Sequence, residues 1–228
     1  MKRYILLIFI IVTTFSAFAQ DNASPRRPKL VVGLVVDQMR WDYLYRFKGH
    51  YGQGGFKRLM NEGFNCQNTM VNYVPSFTAP GHSCIYTGSV PAIHGIAGND
   101  WADNLSSKKT YCVTDNSVRN IINGDTVQYY INASGDTVRE GMSPQNLLTT
   151  TITDELKLAT NFRSKVYGVA LKDRGSILPA GHLGNGAYWF DTLTGSFGSS
   201  TYYKKHSYPA WLKRFNARHV ADSLIKQD

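Results

Sequence analysis

The run Lys29 to Asp37 (KLVVGLVVD) constrains the fold more than any other segment. It is β-branched and apolar on alternate and adjacent positions alike. An alternating strand keeps one face wet, whereas a run like this one has no polar face to offer water. It reads as a strand buried on both faces, the kind found in parallel sheets covered by helices. Tyr43 to Glu62 then carries apolar residues at helical intervals and ends at Gly63, a plausible C-terminal cap. Strand, loop and helix in that order open an α/β unit. The predicted class is therefore α/β, a mostly parallel sheet with helices on both faces.

The flanks set the boundaries. Residues 1–19 start with Lys2 and Arg3, continue with the apolar run Ile5 to Val12, and end on Ala17-Phe18-Ala19. A positive start, a short apolar stretch and a small-x-small site make a secretory signal peptide, cut before Gln20. The run is shorter than the ~20 residues a membrane span requires, so no membrane anchor is expected after cleavage. The expected location is periplasmic or secreted. Residues 20–28 (QDNASPRRP) read as a linker, and residues 29–228 as one domain. Cys66, Cys84 and Cys112 match no metal-finger or Cys-x-x-Cys spacing, and their odd number leaves one unpaired.

Within the domain, Phe64 to Tyr73 reads as extended. Pro80 fits the first turn of a helix that runs through His82 to Thr87 and stops near Gly88. Pro91 to Asn99 reads as a loop, and about 101–140 as an irregular insertion. Residues 147–160 read as a helix, Lys165 to Leu171 as a second buried strand, and His206 to Lys226 as helical near its end. The formal charge of +9 falls to +7 once Lys2 and Arg3 leave with the signal peptide. The basic residues are scattered, which argues against a nucleic-acid partner and suits a small anionic substrate.

Several residues suggest chemistry. Ligands of open parallel sheets bind beyond the carboxyl ends of the strands, and Asp37 stands at such an end. As a carboxylate it suits zinc or magnesium, or it caps the next turn. Thr78 falls at a helix N-terminus, where free N–H groups favour an alkoxide and a phosphate; an ordinary capping Thr would sit there too. Lys172 and Arg174 lie two apart at a predicted strand end, so they point the same way. The pair offers a point charge and a planar fork. The alternative is a solvated turn.

The run Asn72 to His82 (NYVPSFTAPGH), followed by Tyr86-Thr87-Gly88, Pro91, His94-Gly95-Ile96 and Asn99, resembles the signature of type I phosphodiesterases and nucleotide pyrophosphatases of the alkaline phosphatase superfamily. Asp37 matches as well. The pattern through Leu171 to Ser176 is most similar to bacterial alkaline phosphatases of the PafA type, which use Thr as nucleophile. The resemblance implies two zinc ions, with Asp37 and Thr78 touching one of them. It implies a phospho-Thr78 intermediate and phosphoryl binding by Asn99, Lys172 and Arg174. The implied activity is hydrolysis of small phosphate monoesters. A phosphodiesterase or nucleotide pyrophosphatase shares the Thr78 motif without the Lys172/Arg174 pair. A third reading is an inactive fragment or a non-catalytic secreted binding domain. His82 and His94 read as hydrogen bonders that fix the loops. The remaining zinc ligands, Asp and His residues by the family pattern, have no match after Arg174. The chain therefore reads as the N-terminal part of the fold, incomplete and inactive alone.

Overall fold

The computed structural model describes residues 27–102, 104–105, 107–127, 130–131, 137–138, 141–203 and 208–225. The signal peptide and most of the linker lie outside the described residues. The chain divides into two compact units, Met1–Val36 and Asp37–Asp228.

In the first unit the expected buried strand is not formed. Residues 27–36 carry no strand or helix, and Leu30, Val32 and Leu34 are 78%, 76% and 77% exposed. A β-branched run becomes a strand only when neighbours take up its N–H and C=O groups. Among the described residues it is bonded into no sheet.

The second unit starts with two short helices, α1 (Tyr43–Arg46) and α2 (Phe56–Glu62), in place of the single helix expected over Tyr43 to Glu62. Gly49, Gly52, Gly54 and Gly55 lie between or beside them, and Gly55 has φ +57°, outside helical geometry. Phe64 to Tyr73 forms no strand. Helix α3 (Thr78–Thr87) ends at Gly88, whose φ of 65° is left-handed, as the cap requires. Helix α4 (Pro91–His94) follows.

The stretch expected as an irregular insertion holds short strands: β1 (Asp100–Ala102), β2 (Lys109–Tyr111), β3 (Thr114–Asp115), β4 (Asn120–Ile122), β5 (Asp125–Val127), β6 (Tyr130–Ile131) and β7 (Thr137–Val138). Strands β4 and β5 join the main sheet, and Cys112, Val113 and Ile121 lie in the core. Next come β8 (Gly141–Met142), α5 (Ile152–Ala159), β9 (Tyr167–Ala170), α6 (Asp173–Ala180), β10 (Gly186–Asp191) and β11 (Ser196–Ser200). Helices α7 (Ala210–Asn216) and α8 (Val220–Ile225) end the described chain.

The main sheet has the order β5-β4-β11-β10-β9. Only β9 and β10 run parallel; β10–β11, β11–β4 and β4–β5 are antiparallel. The mostly parallel sheet expected from the sequence is thus, over the described residues, a mixed and mainly antiparallel one. That expectation rested on Lys29–Asp37 and Lys165–Leu171, and only the second became a strand.

Helices do cover both faces, as β10 shows. Ala187 packs with Ile177, Leu178 and Ala180 of α6, while its neighbour Tyr188 packs with Leu212 of α7. Successive strand residues face opposite ways, so the two helices lie on opposite sides. Helix α6 sits so close to β9 that a Cβ at Gly168 would come within 2.0 Å of the Ser176 carbonyl oxygen. Among the described residues no helix is long and apolar enough to cross a membrane.

Candidate active site

Helix α3 sets the first part of the site. Its N-cap is Phe77, with φ −71° and ψ 169°, so Thr78 is the first helical residue and its hydroxyl caps nothing. An ordinary capping Thr is thereby ruled out. The Thr78 hydroxyl instead donates to Asp37 Oδ2 at 2.9 Å, across 41 residues. Asp37 also accepts from the Gln38 N–H through Oδ1 at 3.0 Å. Pro80, at the third helical position, lacks only an N–H that would have no helical partner.

One of the remaining free donors of this helix end is the Ala79 N–H. It donates to Asn99 Oδ1 at 2.9 Å. A backbone N–H can only donate, which identifies the bonded atom as the amide oxygen and leaves the Asn99 NH₂ as a donor group. Asn99 is thus tied to the residue next to Thr78.

The motif histidines are committed to the fold. His82 Nδ1 lies 2.8 Å from the Thr78 carbonyl oxygen, so that nitrogen carries the proton and donates. His94 Nδ1 accepts from the Ile96 N–H at 3.1 Å, so its Nε2–H points at Cys84 Sγ, 3.3 Å away. His94 is fully buried. Burial pushes its pKa below the usual imidazole value, partly opposed by a backbone hydrogen bond, so the neutral tautomer is favoured. The three cysteines are free thiols.

Lys172 and Arg174 are not placed by a strand. Strand β9 ends at Ala170; Lys172 is the N-cap of α6 and Arg174 its second residue. Strand alternation therefore does not apply to the pair, and a helix start presents it instead. Lys172 is exposed and Arg174 half-buried. Helix α6 packs against α3, and a Cβ at Gly175 would lie 3.7 Å from His82 Nε2.

Sequence reading missed the group that holds Arg174. In the β1–β2 pair Tyr111 stands opposite Asp100, the residue after Asn99. The Tyr111 hydroxyl donates to Asp173 Oδ1 at 2.5 Å and accepts from Arg174 Nη1 at 3.0 Å. The Arg174 backbone N–H donates to the same Asp173 oxygen at 2.6 Å. Partial removal from water raises the Asp173 pKa, opposed by its bonds to Tyr111 and to the Arg174 N–H. Burial, then the Asp173 charge, push the Tyr111 phenol far above its usual range, so it stays protonated. The only sequence signal was a lone Tyr in a polar stretch, which says nothing about a partner 63 residues away.

Asp37 and Thr78 offer a carboxylate and a hydroxyl oxygen side by side, a donor set that suits zinc as part of a ligand shell. Among the described residues no three His, Cys, Asp or Glu side chains cluster as a metal would require. The contacts Asp37–Thr78, Ala79–Asn99 and Tyr111–Arg174 are linked through the chain, since Asn99 adjoins Asp100 and Asp100 stands opposite Tyr111 in the β1–β2 pair.

A family model described as type I phosphodiesterase / nucleotide pyrophosphatase matches residues 31–225. Alkaline phosphatase PhoV of Synechococcus elongatus is 57% identical over 214 residues, 93% of this chain and 36% of that protein. A Myroides odoratus protein named a calcium-transporting ATPase is 56% identical over 94% of this chain and 36% of its own. Alkaline phosphatase PafA of Elizabethkingia meningoseptica is 52% identical over 98% of this chain and 38% of its own. The crystal structure of wild-type PafA superposes with a TM-score of 0.79 at 55% identity, covering 90% of this chain and 37% of that one. The chain thus spans little more than a third of the length of these relatives. With the family model covering residues 31–225 and Thr78 at the start of its helix beside Asp37, the chain belongs to the type I phosphodiesterase / nucleotide pyrophosphatase family.

Proposed function

We propose that this chain carries the nucleophile half of a secreted, zinc-dependent phosphate monoesterase that works through a phospho-Thr78 intermediate. The observation that supports this reading best is the Thr78 hydroxyl, unused in capping, held at a helix N-terminus against Asp37. The alkaline phosphatases among the relatives agree with it, and imply phosphate esters as substrates.

In the proposed reaction Thr78 Oγ attacks phosphorus in line with the ester oxygen. The P–O bond to the alcohol breaks, and water later cleaves the phospho-Thr78 ester to release phosphate. Asp37 and Thr78 would contribute to holding one zinc ion; zinc, when bound, lowers the pKa of a coordinated hydroxyl and stabilises a leaving oxygen. The Asn99 NH₂ and the Lys172 and Arg174 cations would donate to the phosphoryl oxygens, where charge is spread in the transition state. A monoester carries about one more negative charge than a diester on that group, which is what two cations favour. Processing before Gln20 and a periplasmic or extracellular location belong to the same proposal; N-terminal sequencing of the exported protein tests them.

The deciding experiment traps the intermediate. The complete enzyme, quenched in acid during turnover of p-nitrophenyl phosphate, should carry phosphate on the peptide containing Thr78. Phosphate on Ser76 or Ser83 would sink the assignment. The same preparation should prefer p-nitrophenyl phosphate to its methyl diester by orders of magnitude; preference for the diester would replace the monoesterase reading by a phosphodiesterase one.

A further inference from the structure

We infer that Tyr111 is a positioning residue for Arg174, holding the guanidinium in place while leaving its charge for the substrate. The inference rests on the proposed phosphoryl-binding role of Arg174. Two bonds converge on the Tyr111 oxygen: it donates to Asp173 Oδ1 at 2.5 Å and accepts from Arg174 Nη1 at 3.0 Å. Asp173 adjoins Arg174 in sequence and could have paired with the guanidinium directly. It bonds to the Arg174 backbone N–H instead. Among the described residues the Arg174 side chain forms no ion pair.

The consequence is electrostatic. A carboxylate forked onto a guanidinium satisfies two donors at once and cancels much of its charge. A neutral phenol takes one donor and cancels none. The Asp173 oxygen that accepts from the phenol polarises it, which strengthens the bond to Arg174 without touching the cation. Among the described residues Arg174 Nε, shielded from solvent, has no hydrogen-bond partner, so Tyr111 fixes the cation without satisfying all of its donors. That is the arrangement expected of a group meant to bind an anion. Tyr111 reaches Arg174 from β2, whose partner strand β1 starts beside Asn99. One hairpin therefore ties the positions of two proposed phosphoryl donors together.

The test is a double-mutant cycle in the complete enzyme. Y111F, R174A and the double variant are assayed with p-nitrophenyl phosphate, and inorganic phosphate is used as the competing inhibitor. R174A alone should cost ten- to a hundredfold in kcat/KM, the range of a charge-assisted contact. Y111F should cost about tenfold and weaken phosphate inhibition similarly. In the R174A background Y111F should cost less than about twofold, because a residue acting through Arg174 has nothing left to position. An equal loss in both backgrounds, or no loss in the wild type, overturns the inference. If R174A alone has no effect, the Arg174 reading itself fails, a result visible without any change at Tyr111. Should Y111F fold poorly by its melting temperature, D173N answers the same question. It keeps the shape of the group behind the phenol but exchanges the carboxyl for a weaker amide acceptor, and the same background dependence is expected of it; an equal loss in both backgrounds again overturns the proposal.

Discussion

Residues 38–77 and residues 141–203 make an instructive pair within one unit of the chain. Both are rich in apolar and aromatic side chains. In the first stretch no residue is buried: Phe64 is 95% exposed, and α1 and α2 are held by local bonds and ring contacts such as Tyr43–Phe47 and Tyr51–Phe56. In the second, Ile177, Leu178, Ala187 and Tyr188 are all at most 1% exposed. Apolar content is therefore not what separates them. The second stretch has a β-α-β arrangement that closes on itself, with α6 lying across β9 and β10. Among the described residues the first has no layer to fold onto. Between them, helix α3 carries Thr78, whose hydroxyl donates to Asp37, and Ala79, whose N–H donates to Asn99.

The largest expected effect tests that junction. In the complete enzyme Thr78→Ala should lower kcat at least about a thousandfold and abolish the trapped phosphoenzyme. Its melting temperature should change little, since among the described residues the one hydrogen bond its hydroxyl makes is to Asp37. Thr78→Ser keeps the hydroxyl and should retain activity within about tenfold of wild type. A large loss of stability would mean that Thr78 joins the two regions mechanically rather than chemically.

Next in size is the pair on the packed side. Lys172→Ala with Arg174→Ala should reduce monoester kcat/KM by roughly a hundred- to ten-thousandfold, from two charge-assisted contacts. The diester should suffer far less. Equal losses on both substrates would show the pair to be an ordinary helix start.

Stability separates the regions directly. Ile177→Ala should cost about 2–5 kcal/mol in urea unfolding, from lost burial and the cavity left behind. Phe64→Ala should stay within about 0.5 kcal/mol for this chain. A comparable cost for Phe64 in the complete enzyme would show that further packing covers the open stretch there.

The smallest effect is a pH slope from the packed side. His94 is buried, and its folded pKa lies below its ordinary 6.5. As pH falls through 6.5, the unfolded chain takes a proton that the folded chain refuses. Stability is complete above pH 6.5, declines below it, and levels off once the folded group also titrates. The slope from this one group is at most about 1.4 kcal/mol per pH unit. His94→Gln should flatten it; an unchanged slope would assign it to another group.

These tests also mark where sequence reading reached and where it stopped. Helix α3 was legible because its signals are local: Pro80 in the first turn, Gly88 at the end. So was β9, found inside the span read as a buried strand, although it lies at the sheet edge with Tyr167 and Val169 49% and 60% exposed. The main sheet was not. Strand β11 (SFGSS) has no apolar alternation, and β10 (GAYWFD) is apolar over most of its length; they are strands because each fills the other's ladder, Trp189 opposite Gly198 and Phe190 opposite Phe197. Helix α6 contains Gly175 and Pro179, both poor helix formers. It persists because Ile177, Leu178 and Ala180 are buried. The strand at Lys29–Asp37 failed in the opposite sense, with the right composition and, among the described residues, no ladder to join.

The sequence by itself determined the family, the helix that presents Thr78, and the residue types that suit phosphate chemistry, because each is written in contiguous residues. Only the tertiary structure decided that Thr78 donates to Asp37 rather than capping its helix. It alone showed that Asn99 secures the neighbouring N–H and that Tyr111 stands between Asp173 and Arg174. Hydrogen bonds across 20 to 63 residues depend on which surfaces the core brings together. That outcome is settled by burial summed over the whole unit, which no local pattern carries.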